Sequence, residues 1–168
     1  YLDAIDKKVY FLFAKKHFND AGKDISEPCF NNIYDKFSGH TWYIQYVLNR
    51  IFETTDEGNV AETSNIGPAI DHILKLNDRN FAGQFSRLSE KKRNLLIAVA
   101  RNVSGDSVCG SVKEITSSDF VQKNNLGSAS SVQSALRPLC ESEIIVKEGE
   151  FYLISNKFFS AWLLKCFS

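Results

Sequence analysis

The residues that most often carry chemistry are sparse and scattered in this 168-residue chain. The three histidines, His17, His40 and His72, lie far apart and lack the paired spacing of metal ligands. The motifs GxxxxGK(S/T), HExxH and GxSxG are absent, and in Gly22-Lys23-Asp24 an aspartate stands where a phosphate-binding loop needs Ser or Thr. The sequence therefore predicts no catalytic centre, no metal site and no cofactor on this chain, and we do not expect it to be an enzyme.

The four cysteines are too widely spaced to form a zinc or redox motif, since no CxxC pair is present. They are Cys29, Cys109, Cys140 and Cys166. Two disulfides would fit their even number, but dense bridging belongs to small secreted domains and no signal peptide is visible. We therefore expect four reduced, mostly buried thiols in a cytoplasmic protein.

Composition and charge narrow the classes of partner. Hydrophobic residues make up 43% and charged residues 24%, which favours a globular fold over disorder. The net charge is zero, whereas a dedicated nucleic-acid binder usually carries a basic excess. No stretch reaches the roughly 18 apolar residues that span a bilayer, so we expect no membrane partner. The chain contains no methionine, and we expect it to be a piece of a longer protein.

Helical periodicity dominates residues 1–86 and predicts a small helical bundle. The first helix is expected to run from about Asp3 to Asp20. Three more helices begin at the capping residues Ser26, Thr41 and Asn65. The apolar faces of the four helices are Ile5, Val9, Leu12 and Phe13; Phe30, Ile33, Tyr34 and Phe37; Ile44, Val47, Leu48, Ile51 and Phe52; and Ile66, Ala69, Ile70 and Ile73.

Residues 87–168 change character and predict a second domain. Ser89 is expected to begin a helix, and a shorter helix follows near residues 118–124. After a turn at Gly127, Ser130 and the glutamine three residues later form a capping box that begins a third helix. The apolar face of this third helix is Val132, Ala135, Leu136 and Leu139. Pro138 predicts a kink or an early end.

Two apolar runs, residues 144–146 and 151–154, predict a β-hairpin whose connection contains Gly149. A final helix follows, with the apolar face Phe158, Phe159, Trp162 and Leu163. Helix, short helix, turn, helix and hairpin is the order of a winged helix-turn-helix. The expected fold class is thus mainly α: a small helical bundle, residues 1–86, followed by a winged helix-turn-helix with a short β-hairpin wing, residues 87–168.

A winged helix can bind DNA or protein through the helix that begins at Ser130. The candidate surface comprises Ser131, Gln133, Ser134, Arg137 and Lys147, and Gln and Arg can read base edges. Across residues 117–154, however, five carboxylates stand against three cations. Because phosphate neutralisation supplies much of the affinity for DNA, this charge disfavours DNA and favours a protein partner.

The run Phe37-Ser38-Gly39-His40-Thr41-Trp42-Tyr43-Ile44-Gln45 resembles the lid region of archaeal- and bacterial-type P-loop ATPases related to the STAND and AAA+ classes. The end of the chain, residues 151–163, is also similar to the C-terminal pattern of that family. In these proteins a helical lid follows the nucleotide-binding domain, and a winged helix follows the lid. The resemblance covers nearly the whole chain and implies an upstream P-loop domain as its partner, with ATP and Mg²⁺ bound there.

The family often has a Gly-x-Pro-type lid motif near the adenine, and Gly39, His40 and Thr41 occupy the matching positions, with Thr41 in place of the proline. The resemblance implies that these three residues and Trp42 lie near the nucleotide. A helix N-terminus beside a glycine turn presents N–H groups, and Trp42 and Tyr43 could supply an aromatic wall. The favoured alternative is that Trp42 and Tyr43 pack in the core, as aromatic residues in helical stripes usually do.

Three functions follow from these patterns. The first is a non-catalytic C-terminal regulatory region of an ATP-binding P-loop ATPase, whose lid closes on nucleotide and whose winged helix relays the state to an unidentified protein. The second is a winged-helix DNA-binding transcription regulator, and the third is a protein–protein interaction module. The first and third both predict a large exposed apolar patch, so such a patch would separate only the second from the others.

Overall fold

The computed structural model describes residues 5–105 and 107–168. The chain forms two compact units, Tyr1–Lys75 (unit 1) and Leu76–Ser168 (unit 2). The boundary between them lies inside a long helix, whereas the division expected from the sequence, at residues 86 and 87, lies at the end of the same helix.

From residue 5 onward, unit 1 contains three helices, two short strands and the beginning of a fourth helix. These elements are α1 (Lys7–Asp20), β1 (Asp24–Ile25), α2 (Glu27–Lys36), α3 (Thr41–Thr54), β2 (Val60–Ala61), a single 3-10 turn (Thr63–Asn65) and α4 (Ile66–Ser86). At 21 residues α4 is much longer than the short fourth helix expected from the sequence, because its apolar positions continue into unit 2.

Side-chain caps define where the helices of unit 1 begin. Asp6 accepts hydrogen bonds from the N–H groups of Lys8 and Val9, so α1 begins at Lys7 and not at Asp3, which lies outside the described residues. Ser26 caps α2 as expected, its hydroxyl accepting the N–H of Cys29 at 3.3 Å. These caps satisfy N–H groups that the helix itself leaves without a partner.

A parallel pair of two-residue strands, β1 and β2, was not expected from the sequence. Asp24 pairs with Val60 and Ile25 with Ala61, and the side chains of Ile25 and Ala61 are completely buried. Strands this short carry no periodic signal, so the pairing depends on the helices that bring them together.

The core of unit 1 confirms the expected faces of α2 and α3 but not that of α1. Phe30, Ile33 and Phe37 from α2 are fully buried, as are Ile44, Val47 and Ile51 from α3. The core side of α1 is formed instead by a different set, Tyr10, Ala14 and Phe18. The expected face of α1 is exposed: Ile5, Val9, Leu12 and Phe13 are 43%, 61%, 66% and 65% accessible.

Unit 2 has the element order expected of a winged helix-turn-helix. After the end of α4 come α5 (Glu90–Arg101), β3 (Ser111–Val112), α6 (Ser118–Lys123), α7 (Ala129–Glu141), β4 (Ile145–Glu148), β5 (Phe151–Ile154) and α8 (Lys157–Phe167). The mainly α fold class with a short antiparallel sheet is therefore confirmed. Within the described residues, no helix combines the length and the apolar character needed to cross a membrane.

Helix α7 differs from the sequence-based expectation at both ends. Its cap is Ser128 and not Ser130, since the Ser128 hydroxyl accepts the N–H of Ser131 at 3.2 Å. Pro138 does not end the helix, which continues to Glu141. The proline removes one helical bond to the carbonyl of Ser134, which lies on the exposed side where water can replace it.

The sheet of unit 2 has the strand order β3-β5-β4, with both pairs antiparallel. The hairpin of β4 and β5 was expected, whereas the two-residue β3 was not. Helix α5 packs against α7, α8 and β5. The face of α8 is buried as expected, and Phe81 from the end of α4 packs against Phe159 with ring centroids 5.4 Å apart.

Candidate functional site

The turn between α2 and α3 contains two consecutive residues in left-handed backbone conformations. Ser38 has φ 53° and Gly39 has φ 75°, and the N–H of Gly39 donates to the carbonyl of Tyr34 at 3.0 Å. This conformation is strained for Ser38 and natural for Gly39. The turn ends α2 and places His40 at the cap of α3 with Thr41 as its first residue, so the cap lies one residue earlier than the sequence predicts.

The first turns of α3 present an aromatic surface to solvent. The ring of Trp42 stacks on that of Tyr46 at 5.6 Å and meets that of Tyr43 edge-on at 4.8 Å. Trp42 is 61% exposed, so the expectation that it packs in the core is wrong, whereas Tyr43 is half-buried and stacks on Phe37. Gly39, His40, Thr41 and Trp42 are thus brought together at one end of α3.

This end of α3 offers groups that can bind an anion or a flat ring. The first turn of a helix has N–H groups without intrahelical partners, and the helix dipole makes that end attractive to anions. No acidic residue lies in the first turn of α3 to compete for that position. An exposed indole beside such a helix end can contact a flat ring or an apolar side chain.

A groove of about 270 Å³ lies between α1 and α3. The buried residues that line it are Tyr10, Ala14, Phe18 and Leu48. Its exposed lining residues are Phe13 and His17 from α1 and Gln45 and Asn49 from α3. None of its lining residues is a carboxylate. Burial raises the pKa of the Tyr10 hydroxyl to about 12, so this phenol remains a neutral hydrogen-bonding group.

The candidate surface on α7 is polar and electrically neutral. Gln133, Ser134 and Arg137 are exposed, but Arg137 pairs with Glu141 at 3.0 Å and the hydroxyl of Ser134 donates to the carbonyl of Ser130 at 2.9 Å. Ser131 is separated from them, since it lines a groove of about 510 Å³ next to α5.

The wing, defined as β4, β5 and their connection, also has its cations engaged. Lys147 lies over the ring of Tyr152, 5.4 Å from its centroid, and Glu150 at the tip binds Lys113 at 2.7 Å. Phe151 is 44% exposed beside the tip. Together α7 and the wing offer hydroxyl and amide groups and one apolar ring, with little net positive charge.

Comparison with known families is decisive for unit 2. A family model described as a probable winged helix domain matches residues 79–165. The chain belongs to this winged helix family. The matched segment contains α5, β3, α6, α7, the wing and most of α8. No curated protein matches the chain.

The cysteines of the winged helix domain and of unit 1 are free and differ in exposure. Cys29 and Cys109 are buried, Cys140 is half-buried and Cys166 is exposed. Burial raises the pKa of Cys29 to about 12 and that of Cys109 to about 11, so neither is a nucleophile at neutral pH. In the parts of the chain that the structure describes, no group of three or more His, Cys, Asp or Glu side chains could hold a metal ion.

Reasoning from the sequence missed the groove between α1 and α3. A signal for it exists, because α1 carries two apolar stripes: Tyr10, Ala14 and Phe18 on one side, and Val9, Leu12 and Phe13 on another. A helix that is apolar over so much of its circumference needs partners on two sides.

Proposed function

We propose that this chain is the non-catalytic regulatory region of an ATP-binding P-loop ATPase. In this proposal unit 1 acts as a lid on the nucleotide, and the winged helix domain relays the nucleotide state to a protein partner. The observation that carries the proposal is the exposed Trp42 at the start of α3, directly after the Ser38-Gly39 turn. Trp42 is 61% exposed and stacks on the exposed Tyr46, so the two rings form an apolar surface that a bound group could cover.

The chemistry of this end of α3 supports a position near the nucleotide. Gly39, with its positive φ, allows the turn before α3, and the N–H groups at a helix N-terminus favour a negatively charged neighbour. The ring of Trp42, held against Tyr46, offers a flat face to a purine base. The residues for hydrolysis, including the P-loop lysine and the Mg²⁺ ligand, would belong to the upstream domain that the resemblance implies.

The charge on the winged helix domain supports protein as the partner of the relay. Arg137 is neutralised by Glu141, and Lys113 by Glu150, so the surface of α7 and the wing has few cations left for phosphate. A DNA-binding domain obtains much of its affinity from releasing counterions as it neutralises phosphates. The exposed hydroxyl and amide groups of α7 and the exposed Phe151 of the wing are better suited to a protein interface.

Calorimetric titration of ATP–Mg²⁺ into this chain and into a longer chain tests whether unit 1 contacts the nucleotide. We expect tight binding only by a longer chain that includes the upstream domain, and at least about tenfold weaker binding when that chain carries Trp42→Ala. Phe151→Ala removes an exposed aromatic of unit 2 and serves as the matched control, with unchanged affinity. Absence of binding by both chain lengths would overturn the ATPase proposal and leave the protein-interaction module.

Fluorescence anisotropy with duplex DNA tests the partner of the winged helix domain. We expect no saturable binding at about 0.15 M salt. Saturable binding that weakens steeply with salt and is lost with Arg137→Ala would instead establish the DNA-binding regulator. Gln84→Ala, an exposed polar residue on α4, is the control for that substitution.

A further inference from the structure

The exposed side of α1 combines an apolar stripe with a specific arrangement of charge. Val9, Leu12 and Phe13 are each more than 60% exposed. Leu12 and Phe13 lie three and four residues after Val9, so all three share one side of the helix. A single exposed apolar side chain is ordinary, but a row of them on one helix marks an interaction surface. Phe13 also lines the groove between α1 and α3, so the stripe continues into a concave feature.

The four lysines of α1 divide into two pairs. Lys7 binds Asp35 at 2.8 Å and Lys15 binds Asp24 at 3.0 Å, so these two support the fold of unit 1. Lys8 and Lys16 are exposed and form no ion pair among the described residues. They lie four residues before and after Leu12, which places them at the two ends of the apolar stripe, about 12 Å apart along the helix.

Among the residues that the structure describes, carboxylates are few along α1. The only carboxylate within the helix is Asp20, its last residue, and the carboxylate of Asp6 is engaged in capping the first turn. The groove beside the stripe is likewise lined without a carboxylate, and its exposed side chains on α3 are the amides Gln45 and Asn49. The surface is therefore apolar in the middle, cationic at both ends and rich in hydrogen-bonding groups along one side.

We infer that this surface of unit 1 binds an acidic amphipathic helix. The apolar residues of the partner lie along the stripe and enter the groove beside Phe13, and carboxylates seven or eight residues apart reach Lys8 and Lys16. This is the helix-in-groove mode, in which residues at i, i+3, i+4 and i+7 act as anchors. The inference goes beyond the proposed function, because it concerns a different surface and requires no nucleotide.

An anionic membrane is a poorer fit for the same surface. Lipid-binding polybasic segments usually carry clusters of about four to eight cations, whereas the described part of α1 offers two lysines outside ion pairs, Lys8 and Lys16. A concave groove lined by Gln45 and Asn49 also suits a partner helix whose side chains can enter it.

Two synthetic 16-residue helical peptides test the inference. Both carry leucines at i, i+3, i+4 and i+7, and the residues at the two ends of this leucine stripe are Glu in one peptide and Lys in the other. Titration into the intact chain should show the Glu peptide binding at least tenfold more tightly than the Lys peptide. Leu12→Asp should abolish binding. Leu76→Asp, an equally exposed leucine on α4, should leave it unchanged.

The decisive variant is the double substitution Lys8→Glu and Lys16→Glu, which should reverse the preference so that the Lys peptide binds more tightly. Because both side chains are exposed and neither forms an ion pair with a described residue, the variant should keep its circular dichroism spectrum and melting temperature. Failure of the Glu peptide to bind, or equal affinity for both peptides, would overturn the inference. So would a dimer that Leu12→Asp dissociates, or sedimentation with phosphatidylserine vesicles that depends on Lys8 and Lys16.

Discussion

Gly110 shows how much one residue can depend on its tertiary surroundings. It precedes β3, and a Cβ atom added to it would overlap the carbonyl oxygen of Val99 and lie 2.7 Å from that of Ala100. Both are backbone atoms of α5, which cannot move aside without disturbing the core of unit 2. Gly110 therefore permits the close approach of β3 to the end of α5.

The substitution Gly110→Ala should lower the free energy of unfolding by about 1–3 kcal/mol, the usual range for overpacking. Urea denaturation followed by circular dichroism measures this. Gly83→Ala is the control, since nothing lies within 4 Å of its added Cβ and alanine favours the helix. If both variants were equally stable, the close approach at Gly110 would be disproved.

The buried thiol of Cys29 makes the free energy of unfolding depend on pH in the alkaline range. Its pKa is raised from 9.0 to about 12, first by burial and then by the negative charge of Glu62. A raised pKa in the folded state stabilises the fold fully below pH 9, and this stabilisation is lost as the pH rises towards 12, because only the unfolded thiol ionises in that window.

Cys29→Ala should therefore reduce the loss of stability between pH 9 and about 11 by roughly 1.4 kcal/mol per pH unit. Urea titrations at several pH values measure the slope. Cys166→Ala is the control and should keep most of the slope, because Cys166 is exposed. Identical slopes for wild type and Cys29→Ala would contradict the assignment.

At the scale of elements, α8 illustrates how a buried aromatic face is completed by another helix. Trp162 is 7% exposed and stacks with Phe159 at 6.0 Å. Its indole N–H donates to a carboxylate oxygen of Asp78, on α4, at 2.8 Å. The hydrogen bond therefore ties the second half of α4 to α8 within unit 2.

Removing the acceptor with Asp78→Ala should cost about 1–3 kcal/mol, because the buried indole N–H loses a charged partner. Asp78→Asn keeps an acceptor oxygen and should recover part of the loss. Arg79→Ala, which replaces the exposed residue next to Asp78, is the control and should change the free energy of unfolding by less than about 0.5 kcal/mol. Thermal denaturation compares the three variants, and equal melting temperatures would disprove the role of the bond.

The apolar patterns of α2, α3 and α7 predicted the buried faces of these helices, whereas the pattern of α1 did not. In α2 and α7 a single apolar stripe faces the core, and in α3 the buried aliphatic stripe is distinct from the exposed aromatic residues Trp42 and Tyr46. Helix α1 has two apolar stripes, and the periodicity of apolar residues does not say which of them faces the core. The buried one is made of Tyr10, Ala14 and Phe18, which pack beside Phe30 and Phe52.

At the scale of the whole molecule, each unit has its own core and one of the two tryptophans. Trp42 belongs to unit 1 and is 61% exposed, whereas Trp162 belongs to unit 2 and is 7% exposed. A quencher in solution can therefore reach the indole of Trp42, whereas packing shields that of Trp162.

The variant Trp162→Phe retains only the exposed Trp42, and Trp42→Phe retains only the buried Trp162. Acrylamide should quench the fluorescence of the first variant several-fold more strongly than that of the second. The physical reason is that quenching requires collision with the indole, which burial prevents. Stern–Volmer constants of the two variants give the comparison. Covering Trp42 by an upstream domain should lower its constant, so the same measurement on a longer chain also reports on the proposed lid.

Local patterns by themselves determined much of this protein. Apolar periodicity and capping residues predicted the helices α2, α3, α5, α6, α7 and α8, the hairpin of the wing and the winged-helix order of unit 2. These features depend on neighbours within a few residues, so they can be read without knowing the fold. The absence of a catalytic motif is also read from the sequence, whereas the relationship to an ATPase lid stays a proposal.

Tertiary structure decided which surfaces remain open. The exposure of Trp42, the outward stripe of α1 and the pairing of Lys7 and Lys15 with Asp35 and Asp24 depend on residues brought together from distant parts of unit 1. The same holds for the two-residue strands and for the place of Gly110 beside α5. Burial and ion pairing are properties of the packed chain, and residue type and spacing alone do not contain them.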